Sequence, residues 1–132
     1  MQALDIESFE QVLAQAEGFV LVDFWAPWCA PCRVVTPILE ALEDQYEAHQ
    51  VIFCKVNVED VPFLMQAFKL KSIPSVLLMK PYTTGEGAEV IDALIGAQPM
   101  ARYAQWLNSY LYPKPSLWTR VKALLHGDRS VD

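Results

Sequence analysis

No stretch of this chain is apolar for long enough to cross a bilayer; even its strongest run, Phe19–Trp25, is interrupted by Asp23 and falls far short of the roughly 20 residues a spanning helix needs. No stable membrane insertion is therefore expected. Basic charge is also scarce. Ten Lys and Arg stand against sixteen Asp and Glu, a net charge of −6, which argues against binding to a nucleic-acid backbone by the chain as a whole. The first twenty residues lack the basic start and apolar centre of a secretory signal, since Asp5, Glu7, Glu10 and Glu17 fall where that centre would lie. Cysteine is sparse and odd in number, three in all. A disulfide-stapled secreted domain carries an even set, so a reducing compartment, the cytoplasm, is expected. The two histidines, His49 and His126, show no ligand spacing to anything. Structural zinc takes four ligands, commonly from two cysteine pairs, so no metal is expected.

What is present is ordinary globular sequence. Hydrophobic residues make up 53% and charged residues 20% of 132 residues, enough for one domain with one core and too apolar for a disordered chain. Asp5 is placed to cap a first helix with Ile6, Phe9, Val12, Leu13 and Ala16 at helical spacing, and Gly18 is its expected stop. Phe19–Trp25 has the β-branched and aromatic content of a buried strand. Val34, Val35, Ile38, Leu39, Leu42 and Tyr46 form the stripe of a second helix, with Pro37 inside it as an expected kink. Val51–Val58 is a second buried strand, and Asp60 is placed to cap a short helix with Pro62 in its first turn. Val76–Met79 and Val90–Ile95 suggest a hairpin around a turn-rich stretch, Pro81–Ala88, and Pro99 opens a helix running to about Leu111.

The order is α-β-α-β-α-β-β-α. The βαβ units imply parallel pairing and the closing hairpin antiparallel pairing, hence an α/β fold with a central mixed sheet of about four to five strands and helices on both faces. The composition breaks at Pro113-Lys114-Pro115, dividing a domain over residues 1–112 from an extension over residues 113–132. In that extension Ser116 is placed to cap a short amphipathic helix carrying Leu117, Trp118, Val121, Leu124 and Leu125, with Gly127 as its end. Four basic residues against two acidic ones make the extension net +2, leaving −8 on the rest.

The chemistry concentrates at Trp28-Cys29-Ala30-Pro31-Cys32-Arg33, between a buried strand and a helix. Two cysteines three apart at a helix start bring their sulfurs within bonding range. The free N–H groups and dipole of the helix N-terminus there favour a thiolate on the first. Cys29 is then the attacking sulfur and Cys32, one turn inside, the resolving thiol; Pro31 stiffens the start. Asp23 and Lys55 are charges inside apolar strands, where a charge must be paired or neutralised. If those strands are neighbours the two meet beneath Cys32, and Asp23, its pKa raised by burial, serves as proton acceptor for Cys32. A merely structural ion pair is the alternative. Cys54 reads as a buried core thiol.

Together these residues resemble the thioredoxin family. Val22–Arg33, VDFWAPWCAPCR, is similar to its active-site signature with Ala30 in place of the usual glycine. The similarity runs from about Met1 to Leu111 through Pro37, the Lys55-Val56-Asn57-Val58 segment, Ile73-Pro74 and Gly96. The resemblance implies the thioredoxin fold and a protein-disulfide reductase without bound cofactor, fed by an NADPH-dependent flavoprotein reductase and acting on disulfide-containing client proteins. It also implies a cis Pro74 against the Cys29–Cys32 disulfide, with Ile73 offering a backbone edge to substrate. Trp28, Val58, Ile73, Gly96 and Ala97 would ring an apolar docking surface, with Ala30 and Pro31 also in the substrate-facing segment. Proline rather than histidine before Cys32 points to a reducing rather than an oxidising member. Three features depart from the family pattern: a nearly absent first strand, a longer hairpin loop at Pro81–Ala88, and the extension. The extension supports a different function, a co-chaperone or complex subunit that works by binding a partner or another copy through the tail helix.

Overall fold

The computed structural model describes residues 1–125; Gly127, the expected end of the tail helix, lies outside them. Five strands form one sheet in the order β1-β3-β2-β4-β5. In chain order the elements are β1 (Gln2–Ala3), α1 (Ile6–Gln15), β2 (Phe19–Trp25), α2 (Ala30–Glu43), β3 (Val51–Asn57), α3 (Pro62–Ala67), β4 (Ser75–Pro81), β5 (Ala88–Ile95), α4 (Met100–Leu111) and α5 (Leu117–Leu125). β2 lies at the centre, parallel to β3 and antiparallel to β4, and β5 closes the hairpin with an irregularity at Leu78/Met79. The first strand that the sequence all but hides is there: Gln2 and Ala3 pair in parallel with Cys54 and Lys55. Two residues leave no periodicity to detect, and only the neighbouring strand defines them.

Alternation along β2 divides the core in two. Val20, Val22 and Phe24 pack with Phe9, Leu13 and Leu64 beneath α1 and α3. Leu21 points the other way, to Val35, Leu39, Tyr103 and Leu107 beneath α2 and α4. Helices therefore cover both faces, as a sheet with two apolar faces requires.

Several local expectations change. α1 is capped by Asp5, whose carboxylate accepts from the Ser8 N–H at 2.8 Å, but it ends at Gln15, before Gly18. Gly18 serves another purpose: a Cβ there would collide with the Gln50 carbonyl and lie 2.6 Å from the His49 carbonyl oxygen. Asp60 does not cap α3; Val61 holds that position with no side-chain bond. α2 runs unbroken through Pro37. On its stripe, Val34 is exposed rather than buried. Trp106 of α4 is buried, its indole N–H donating to the Asp92 carboxylate at 2.9 Å.

Candidate active site

The site is built where β2 turns into α2. Cys29 is the N-cap of a 14-residue helix, with Pro31 in its first turn and Cys32 one turn in. The two cysteines are disulfide bonded, their Cα atoms 5.3 Å apart. The Cys32 N–H, one of the helix's free N-terminal donors, points at the Cys29 sulfur from 3.3 Å. A negative charge on that sulfur thus meets an N–H and the positive end of the helix dipole together. Both cysteines are buried, Cys32 fully, while Trp28 and the intervening Ala30 and Pro31 are exposed.

Beneath the helix lies Asp23, on the central strand and with no exposed surface. By alternation it shares Leu21's face, under α2. Thr36 stands four residues after Cys32, on the same helix face. Its hydroxyl donates to one Asp23 carboxylate oxygen at 2.6 Å, while the other oxygen has no partner. Burial pushes the Asp23 pKa up to about 6; the Thr36 hydrogen bond and then the Lys55 charge pull against that, and Glu40 adds to it. Lys55 is the register partner of Asp23, yet it is only half-buried and makes no ion pair with it. Its ammonium sits over the Trp25 ring, 5.6 Å from the centroid. The strands do bring the two residues together, as neighbours rather than a contact pair. Thr36 was not singled out in the sequence. Its spacing from Cys32 was visible, but no pattern marks a threonine until the strand beneath it is known.

The Ile73–Pro74 bond is cis. Pro74 is buried, and Ile73, half-buried, packs against the cluster that contains Cys29 and Cys32. Two contacts tie this loop down: the Gly96 N–H donates to the Pro74 carbonyl at 2.9 Å, and the Ser75 hydroxyl to the Ser72 carbonyl at 2.6 Å. Gly96 has a φ of 81°, the left-handed region in which glycine is unstrained. Ala97 is exposed and Gly96 half-buried, whereas Val58 is buried rather than facing outward as expected. Cys54 lies in the core, its thiol donating to the Leu21 carbonyl at 3.4 Å, and burial pushes its pKa up to about 12. Such a thiol stays protonated and takes no part in exchange. Among the described residues no cluster of three or more His, Cys, Asp or Glu could hold a metal, and no helix is long and apolar enough to cross a membrane.

A dithiol at a helix N-terminus beside a cis-proline loop, on a central mixed sheet, defines the class of small proteins that exchange disulfides. The comparisons with known proteins place it further. The family model described as Thioredoxin matches residues 1–109. A thioredoxin of Porphyra purpurea is 36% identical over 104 residues, covering 79% of this chain and 91% of that one. Thioredoxin 1 of a Nostoc strain is 35% identical over the same shares of the two chains. The chloroplastic M-type thioredoxin of Zea mays is 35% identical over 107 residues, which are 81% of this chain and 60% of that one. The solved structure of the Malassezia sympodialis thioredoxin superposes with a TM-score of 0.71 at 26% identity, covering 84% of this chain and 90% of that one. The chain belongs to the thioredoxin family. It is a thiol–disulfide oxidoreductase that works by dithiol–disulfide exchange through Cys29 and Cys32. Disulfide-bearing proteins and a reductant are its reaction partners, and members of the family need no cofactor of their own.

Proposed function

We propose that the chain works in the reducing direction. The Cys29 thiolate attacks a client disulfide, forming a mixed disulfide and releasing one client thiolate. Asp23 takes the proton of Cys32, whose sulfur then attacks Cys29 of the mixed disulfide. The second client thiolate leaves, and the Cys29–Cys32 disulfide remains for an NADPH-dependent flavoprotein reductase to reduce. The cytoplasm, whose glutathione and thioredoxin systems keep thiols reduced, is the compartment that suits this direction.

The observation that supports Cys29 as the attacking sulfur is the Cys32 N–H aimed at it at the start of a long helix; the direction rests on Ala30-Pro31 between the cysteines. No imidazole stands between the cysteines to stabilise the thiolate further, so the dithiol is expected near the potential typical of thioredoxin, about −270 mV, rather than the −120 mV range of strong oxidants. Substrate then lies across Trp28, Ala30, Pro31 and the Ile73–Pro74 loop, between Gly96 and Ala97. Ile73 suits strand-like pairing with a client because, among the described residues, its backbone makes no hydrogen bond. Lys55 acts on Asp23 through its charge, and Thr36 is a positioning residue that holds the carboxylate under the helix.

Two variants test the mechanism. Cys29→Ser is expected to abolish the chain's acceleration of insulin reduction by dithiothreitol. Cys32→Ser is expected to retain client proteins as mixed disulfides, and their identification names the substrates. Equilibration against glutathione near −120 mV would reverse the assigned direction. A second reading, binding through the tail, is favoured by one observation: Leu117, Trp118, Leu124 and Leu125 of α5 are between 68% and 83% exposed.

A further inference from the structure

We propose that α5 of one chain docks in the acidic-rimmed apolar groove beside α1 and α3 of a second copy, so that two chains exchange tails. At 100° per residue, Leu117, Trp118, Val121, Leu124 and Leu125 occupy an arc of about 120° on α5. Arg120 and Lys122 fall about 40° beyond either edge of that arc. The tail helix is thus an apolar stripe with a positive charge along each border.

The groove is its complement. It has a volume of about 760 Å³, a floor that includes Phe9, Leu13 and Leu64, and Ile6 and Phe63 standing open at its mouth. Glu7 and Glu10 of α1 and Glu86 of the hairpin loop give it a negative rim. Gly85, Glu86 and Gly87 of the β4–β5 hairpin loop line it as well.

The partner is a second copy because the tail leaves from the wrong side of its own domain. α4 packs with α2 on one face of the sheet, whereas the groove belongs to α1 and α3 on the other. From Leu111 to Leu117 the chain spans at most about 20 Å, stiffened by Pro113 and Pro115. Helix layers about 10 Å thick on either side of a sheet lie roughly that far apart in a straight line, and the path around the domain is longer. In a reciprocal pair, each chain gives its tail and receives the other's, a closed two-fold arrangement with two identical contacts. Neither Cys29 nor Cys32 lines the groove, so a docked tail leaves the dithiol uncovered.

The full chain is to be followed by sedimentation over about 1 µM to 1 mM. A monomer–dimer equilibrium is expected, weakened at least about tenfold by Trp118→Asp on the tail and equally by Phe63→Asp in the groove. Both side chains are exposed, so both variants are expected to keep the wild-type circular dichroism and insulin reduction. Mixed together, the two variants are expected to form a heterodimer by native mass spectrometry, since the Phe63→Asp chain still has a tail and the Trp118→Asp chain still has a groove. A wild type that stays monomeric throughout overturns the proposal. So does a dimer indifferent to Phe63→Asp, or a monomer whose melting temperature falls in Trp118→Asp, which would place the tail on its own domain.

Discussion

Asp23 must be charged to accept a proton, yet it is held where charge is disfavoured. Its pKa of about 6 in the folded chain lies above the ordinary 3.8, so folding tightens its hold on a proton. Below both values the carboxyl is neutral folded or unfolded and contributes nothing. Destabilisation grows as pH rises between them and is complete above the folded value, at about 3 kcal/mol. Asp23→Asn is therefore expected to raise urea stability by up to about 3 kcal/mol near pH 8, with the gain vanishing near pH 3.5, while slowing resolution of the mixed disulfide. Equal stability of the two chains at both pH values would show that the carboxylate is not paying a burial penalty. Thr36 tests the positioning role. Thr36→Val removes the one hydrogen bond to Asp23, so the acid limb of the pH–rate profile is expected to move to higher pH, and Thr36→Ser to bring it back. A Thr36→Val profile that falls at the same pH as the wild type would reduce Thr36 to a packing residue.

At the scale of elements, the joints carry information that the elements do not. The close approach of α1's exit to the His49–Gln50 turn leaves no room for a Cβ at Gly18. Gly18→Ala is expected to cost about 1–3 kcal/mol by forcing that backbone apart, measured as a lowered urea midpoint with insulin reduction retained once folded. Sequence periodicity located four strands and all five helices because each places an apolar stripe or run at its own repeat. It misjudged the ends, since Gly18 resembles a helix stop and Asp60 a cap, yet neither serves as one. The reason is physical: a glycine needed for close approach and a glycine needed for positive φ are the same letter. Thr36 escaped notice for a related reason, because its importance comes from a strand that the sequence places thirteen residues earlier.

At the scale of the whole molecule, the family match ends at residue 109, before the extension begins. We take residues 1–112 as the folding unit. At a concentration where the full chain is monomeric, a chain ending at Tyr112 is expected to keep its melting temperature and insulin reduction, because α5 leaves most of its apolar surface uncovered in the single chain. A large fall in melting temperature on truncation would make the extension part of the domain instead. Disulfide exchange and tail exchange are thus separable properties, one residing at the top of α2 and the other along α1, α3 and α5.

The sequence by itself determined the reaction. Two cysteines three apart, after an apolar strand and before an apolar stripe, place a sulfur at a helix N-terminus whatever surrounds it, because that geometry is local. The same local logic revealed the strands, the helices and the composition break at Pro113. Only the tertiary structure decided which groups act at a distance. It put Asp23 at the centre of the sheet, gave it Thr36 as hydrogen-bond donor, and left Lys55 beside it without an ion pair. It also paired Gln2 and Ala3 with β3 and opened a groove against the hairpin loop. These depend on register and on which helix covers which face, contacts between residues far apart in the chain that no local repeat encodes.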